Sequence, residues 1–194
     1  AVHDGAAHVC SGAYEHTLLQ QSQGHDFRAF VVQGRAPQQA LGVSVRALPG
    51  YRRPADLRGR RVGVSAPGSS TQVMASVLLA RAGVDAREVS FVGVGTGATA
   101  VAALRTGRVH ALCHADPIMS LLEHRGEVRL VSDLRTLTAA QEVFGGAMPA
   151  SCLYAPQAFL HKEPMVAQAL TNAIVHALKW LQTASPADLI KAVP

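Results

Sequence analysis

Through the middle of the chain, short β-branched runs alternate with longer segments whose apolar residues recur about every three or four positions, the two periods of strand and helix. RRVGVSA (60–66) predicts a strand, the PGSS turn after it supplies serines able to cap a helix, and TQVMASVLLARAG predicts that helix, ending at Gly83. EVSFVGVG (88–95) predicts a second strand, followed by a Thr96-Gly97 turn and the helix ATAVAALRTG. VHALCHA (109–115) predicts a third strand, stopped by Asp116-Pro117 and followed by the helix IMSLLEHRG, and VRLVSDL (128–134) predicts a fourth. This β-α-β-α-β-α-β series predicts an α/β protein with an open, largely parallel sheet, and such sheets take ligands at the carboxyl ends of their strands.

The flanks read differently. Residues 1–19, set against residues 103–121 at a constant offset of 102, match at Ala1, Gly5, His8, Ala13 and Leu19. Both segments have the order helix end, Gly cap, apolar strand, polar loop, helix, which predicts two similar lobes. The second copy is preceded by two complete βα units and the first by none, so the pattern predicts a fragment in which the opening of lobe one is missing. DFRAFVVQG (26–34) and ALGVSVRAL (40–48) predict two further strands, and PGYRRPADLRG (49–59) a connection between lobes. MPASCLYAPQAF (148–159) predicts a return strand and turn, MVAQALTNAIVHALKWLQTAS (165–185) a long amphipathic helix with Trp180 on its apolar face, and SPADLIKA another helix start. The expected division is 1–50 as partial lobe one with hinge strands, 51–146 as lobe two, and 147–194 as a return strand with C-terminal helices on lobe one.

Composition narrows the partners. The 194 residues are 48% hydrophobic and 5% aromatic, and no run approaches the roughly 18 apolar residues of a membrane span. No signal peptide is visible in AVHDGAAHV. A net charge of +5 favours an anionic ligand. Nucleic acid is not expected, since the arginine cluster (Arg52, Arg53, Arg58, Arg60, Arg61) has no interleaved aromatic residues and reads as a solvated turn leading into a strand. Three widely spaced cysteines exclude a disulfide framework.

Two turns carry the candidate chemistry. GVSAPGSST (63–71) has Gly63, Gly68 and Ser70 in register with a Walker A loop, but Ser69 stands where the lysine belongs. The lysine is the part that reaches the β and γ phosphates, so what remains is a helix start whose N–H groups favour an anion, with Ser69, Ser70 and Thr71 as further donors or as plain caps. Gly93-Val-Gly95-Thr-Gly-Ala98 fits G-x-G-x-x-[GA], with Asp116 near the place of a ribose-binding acid, but the helix after it is short and Pro117 follows the acid. Together the two turns place two helix starts at one sheet edge. His110, Cys113 and His114 alternate faces on a strand and so predict no metal site, and no G-x-S-x-G elbow or nucleophile–base pair marks a catalytic site. Tyr14, Glu15 and His16 are ligand contacts or an ordinary helix start.

DLRGRRVGVSAPGSSTQVMASVLLARAG, VGVGTGATAVAALRTGRVHALCHADP and HKEPMVAQALTNAIVHALKWLQ, in that order, resemble the periplasmic substrate-binding proteins of ABC importers for nitrate, sulfonate and taurine, a group that includes relatives of thiamine-pyrimidine synthases. The resemblance runs over nearly the whole chain. It implies a type II periplasmic-binding-protein fold, two α/β lobes with a hinge closing on a solute in the cleft between them, and a non-catalytic protein without a cofactor. It further implies a periplasmic or exported, membrane-anchored location and an ABC permease as partner. Carried over residue by residue, the solute contacts are Ser11, Gly12 and Tyr14, then Ser69, Ser70 and Thr71, Thr96 and Gly97, and also His114 and Asp116. An acid at Asp116 would oppose an anion unless it faces away, caps an N–H, or meets a cationic or amide group of the solute. Two alternatives follow: an enzyme on the same fold, although the Cys-rich motif of the eukaryotic pyrimidine synthases is absent, and the effector-sensing domain of a transcription regulator.

Overall fold

The chain builds two separate sheets, and the computed structural model describes Val2 and residues 5–192. In chain order the elements are β1 (Cys10–Ala13), α1 (Glu15–Ser22), β2 (Phe27–Val32), β3 (Gln39–Ser44), β4 (Arg61–Val64), α2 (Ser70–Arg81), β5 (Ser90–Gly93) and α3 (Ala98–Arg105). They continue with β6 (Ala111–Ala115), α4 (Ile118–His124), β7 (Val128–Asp133), α5 (Leu137–Phe144), β8 (Ser151–Pro156), α6 (Gln157–Lys162), α7 (Pro164–Thr183) and α8 (Pro186–Ala192). One compact unit comprises Ala1–Arg35 with Pro149–Pro194, and the other Ala36–Met148.

The second unit holds a five-stranded sheet in the order β5-β4-β6-β3-β7. β4 pairs in parallel with both β5 and β6, as the βα alternation predicts, while β3 runs antiparallel between β6 and β7. That insertion corrects the expected grouping: β3 is not a strand of lobe one, and residues 36–50 lie within the second unit. PGYRRPADLRG is likewise no connection between units, because Tyr51 and Leu57 are buried in the second unit's core. Its single turn of 3₁₀ helix at Pro54–Leu57 is fixed by Asp56, whose Oδ2 accepts from the Arg52 and Arg53 N–H groups at 2.8 and 3.0 Å. The chain passes between units at 35/36 and 148/149.

Both faces of this sheet are covered. Leu41, Val43, Val62, Val64, Ala111 and Cys113 pack with Met74, Leu78 and Leu79 of α2. Ala40 and Leu112 point to the other face, against Val101 and Leu104 of α3 and Met119 and Leu122 of α4. Alternate residues of one strand therefore enter different cores, which is why β3 and β6 are apolar at consecutive positions. Each fully buried leucine contributes about 2 kcal/mol of transfer free energy. Burial also pushes the Cys113 thiol up to about 12, so it behaves as a small apolar side chain. α5 has no forerunner in the sequence reading; Thr136 caps it by accepting from Ala139 N–H, and Gly145 ends it at φ 73°.

The first unit holds a three-stranded sheet, β1-β8-β2, with β8 antiparallel to both neighbours. Its core is Phe27, Cys152 and Tyr154, with the two aromatic rings edge to face at 6.1 Å. The repeat is visible in the backbone: Gly5 and Gly107 both have left-handed φ, 74° and 73°, and each precedes a strand and then a helix, β1 with α1 and β6 with α4. The helix end expected at residue 1 lies outside the described residues. α7 carries no buried residue, and its Trp180 and Leu181 are 43% and 50% exposed.

Gly42 sits where β3 passes beneath α4: a Cβ there would lie 3.0 Å from Met119 Cε and 3.1 Å from Val128 Cβ. Gly42→Val is expected to destabilise the second unit by roughly 2 kcal/mol through overpacking, read as a lower urea midpoint at unchanged slope.

Candidate functional site

The parallel strands fix where the polar residues gather. β4 ends at Val64, β5 at Gly93 and β6 at Ala115, and α2, α3 and α4 start at the same edge of the sheet. Because β3 runs the other way, its first residue joins that edge, with Gln39 paired opposite Ala115. Ser69, Ser70, Thr71, Thr96, Gly97, His114 and Asp116 are thereby brought to one edge of the second unit, whereas Ser11, Gly12 and Tyr14 belong to the first.

The β4–α2 loop is held from inside. Thr71 is buried, and its Oγ1 accepts from Ser65 N–H at 2.8 Å while lying 3.1 Å from Ser65 Oγ and 2.8 Å from Ser69 Oγ. One proton and two lone pairs are then all engaged, so Thr71 fixes the loop. Ser69 occupies the N-cap position, but its hydroxyl bonds the Thr71 side chain and caps no backbone N–H of α2; Gln72 instead reaches back, its Oε1 accepting from Gly68 N–H at 2.8 Å. The serine cap expected from PGSS is therefore replaced by a glutamine bridge across the turn. Ser70 is half-buried, and its Oγ accepts from Gln39 Nε2 at 2.7 Å. One of its two lone pairs is so engaged, and the Ser70 proton is left to be donated at the start of a twelve-residue helix.

The β5–α3 loop is pinned by His114. This side chain is 5% exposed, Ala115 N–H donates to its Nδ1 at 3.0 Å, and Nε2 donates to the Gly95 carbonyl at 3.1 Å. Gly95 has φ 77°, and a Cβ there would lie 2.7 Å from Thr99 Oγ1, so the turn requires glycine. Beyond it Thr96 and Gly97 are exposed, with Gly97 at the N-cap of α3.

Asp116 is occupied within the protein. Its Oδ1 accepts from Ser120 N–H and Ser120 Oγ at 2.9 and 2.8 Å, and Arg135 lies 3.5 Å away. Arg135 also binds Glu123 at 2.7 Å and Asp133 at 2.8 Å, so the acid that would oppose an anion is offset by a guanidinium. That guanidinium holds the Asp133 carboxyl below the usual carboxylate range. Sequence reading missed Arg135, Ser65 and Gln39; a polar residue opening the apolar run ALGVSV is the one local signal of Gln39.

In the first unit, Ser11 Oγ donates to Gln33 Oε1 at 3.1 Å. Gly12 faces Tyr154, whose Cε1 would be 3.1 Å from a Cβ, and Tyr14 packs beside the Phe27–Cys152–Tyr154 core. Two hollows lie away from these residues. One of about 430 Å³, lined by Ser44, Arg46, Leu104 and Glu127, sits at the opposite edge of the second sheet, and one of about 710 Å³ lies between His8, Phe159 and Val166 in the first unit. Among the described residues, no group of three His, Cys, Asp or Glu could hold a metal ion, and no helix is long and apolar enough to cross a membrane.

Residues 1–187 match the family described as NMT1/THI5 like. The chain belongs to that family. A solved structure from Bordetella bronchiseptica RB50 is 55% identical with a TM-score of 0.96, covering 100% of this chain and 61% of its own. The periplasmic aliphatic sulphonate binding protein SsuA from Escherichia coli is 21% identical with a TM-score of 0.70, covering 94% of this chain and 59% of its own. The periplasmic nitrate-binding protein NrtA from Synechocystis PCC 6803 is 15% identical with a TM-score of 0.67, covering 93% and 49%. This chain therefore has the periplasmic-binding-protein fold, and it spans less than two thirds of the length of these proteins. No curated protein matches it in sequence.

The Arg135 cluster makes a stability prediction. A carboxyl whose folded pKa is depressed contributes stability that is present above its unfolded value, near pH 4, and is lost as pH falls through the folded value. Arg135→Met is expected to cost about 1 kcal/mol at neutral pH, the partly exposed partners being screened. It should also flatten the decline in urea midpoint below about pH 4.

Proposed function

We propose that the chain is the solute-binding component of an ABC importer, non-catalytic and without a cofactor, which takes a small anionic or zwitterionic organic solute of the sulfonate, taurine or nitrate type and delivers it to a membrane permease. The observation that carries this reading is the start of α2: a half-buried Ser70 hydroxyl that accepts from Gln39 and keeps its own proton to donate, at a helix start whose Gln72 and Val73 N–H groups turn back to the Ser69 carbonyl, at the carboxyl edge of a parallel sheet. Donors set in a rigid loop suit an oxyanion, and the hydroxyls of this edge are hydrogen-bonded to one another and to Gln39 rather than to a histidine that could act as a base. The names of the Escherichia coli and Synechocystis proteins, one a sulphonate binder and one a nitrate binder, support the same solute class. A periplasmic or exported, membrane-anchored location goes with that reading.

Ser70 and Thr96 are proposed as direct contacts, with Ser69, Gly97 and His114 shaping the two loops, Thr71 holding the first, and Asp116 kept from the solute by Arg135. Ser11, Gly12 and Tyr14 are carried as contacts by the family resemblance. The second reading is an enzyme on this fold related to thiamine-pyrimidine synthases, favoured by the description of the family itself.

The intact protein is expected to unfold at a higher temperature with one or more of taurine, ethanesulfonate and nitrate, and to return the solute unchanged. At a hundredfold excess over Kd the gain is about 2.7 kcal/mol. Ser70→Ala and Thr96→Ala should each weaken binding about fivefold to tenfold, measured by titration calorimetry. Unaltered affinity in both variants would move the site elsewhere, and consumption of a thiamine-pyrimidine precursor would establish the enzyme instead.

A further inference from the structure

Gln39 opens β3, yet it is only 7% exposed. Its Nε2 donates to Ser70 Oγ at 2.7 Å, while its Oε1 is buried without a hydrogen-bond partner among the described residues. Whichever way an amide faces at this position, one of its two polar atoms stays unpaired. Buried polar groups in folded proteins are almost always paired, and an unpaired one costs stability that an apolar side chain of similar shape would not. A glutamine here therefore weakens the second unit's core. The one bond it does make runs to the helix start that offers donors.

The local backbone supports the same conclusion. Gln38, the residue before it, has φ 60°, a left-handed conformation uncommon outside glycine. Gln38 N–H donates to the Leu134 carbonyl at 3.0 Å and Leu134 N–H to the Gln39 carbonyl at 2.8 Å, so both sides of the strained residue are clamped to the segment after β7. The clamp delivers the Gln39 side chain to Ser70. Strain and an unpaired acceptor at one place are features that folds keep where function requires them.

We propose that Gln39 is a positioning residue for solute binding. By donating from Nε2 it occupies a lone pair of Ser70 Oγ, so that the single Ser70 proton is directed to an anionic oxygen of the solute. The inference rests on the solute-binding reading and names a residue that acts through Ser70 without touching the solute. It sets the polarity of the site: with Nε2 turned to Ser70 the amide leaves the Ser70 proton for the solute, whereas a carboxylate in its place would draw that proton to itself.

The test combines binding with stability. With taurine and ethanesulfonate as probes in titration calorimetry, Gln39→Met is expected to weaken binding about tenfold while the urea midpoint stays the same or rises, a split that a merely structural role would not give. In a Ser70→Ala background Gln39→Met should cause no further loss. Gln39→Glu, nearly isosteric and therefore informative even if the methionine variant fails to fold, should weaken binding more than Gln39→Met would. Wild-type affinity in the folded glutamate variant, or equal losses from Gln39→Met with and without Ser70, would overturn the role of Gln39 and leave the solute-binding reading standing. Failure of the unmodified protein to bind either sulfonate or nitrate would overturn both.

Discussion

Parallel pairing of β4 with β5 and β6 is the constraint from which the second unit follows. Parallel neighbours cannot be joined by a tight turn, so the chain returns through a helix after each strand, and each helix begins where its strand ended. The starts of α2, α3 and α4 consequently share one edge. The same helices cover both faces of the sheet, leaving its edge as the place where Gln39, Ser65, Ser69, Ser70, Thr71 and His114 meet. Apolar faces and a polar edge are two outcomes of one connectivity rule.

That edge is held stiff by bonds within the protein. The β4–α2 loop is tied by hydroxyls around Thr71, and the β5–α3 loop by the bond from His114 to the Gly95 carbonyl. Each neutral bond contributes about 1 kcal/mol to stability, and together they remove conformational freedom from both loops. The division of labour follows from burial: Thr71 and His114 are buried and engaged within the protein, whereas Ser70 is half-buried and Thr96 exposed. Asp116 shows how the same edge tolerates a negative charge, since Arg135 gathers it with Asp133 and Glu123 on the flank next to β7.

Much of this was legible in the sequence because it is local. The strand and helix periods located β4 to β7 and α2 to α4, and the match of Gly5 with Gly107 foretold a left-handed turn ahead of a strand in both units. What escaped is non-local. Nothing near ALGVSV says that it pairs between β6 and β7, some seventy to ninety residues on, because antiparallel pairing leaves no mark in a strand's own pattern. The Asp116–Arg135 pairing and the Gln39–Ser70 bond span 19 and 31 residues, and both depend on which strand ends the sheet order brings side by side. Ser69 was legible as a cap by position; its hydroxyl pairs with Thr71 because the loop folds it inward.

The two sheets share a rule that completes the account of β3. In each, the middle of three strands is antiparallel to both neighbours: β8 between β1 and β2, and β3 between β6 and β7. Each of these strands begins just after the chain has passed from one unit to the other, β3 after 35/36 and β8 after 148/149. The strand that closes each sheet is thus supplied by a crossing, so the first unit cannot form from one continuous segment and must wait for β8, more than a hundred residues after β2. Gln39 stands at the corresponding start in the second unit. A residue placed where a crossing strand enters the sheet is fixed by pairing on both sides, which makes it a firm point from which to orient a neighbouring helix start.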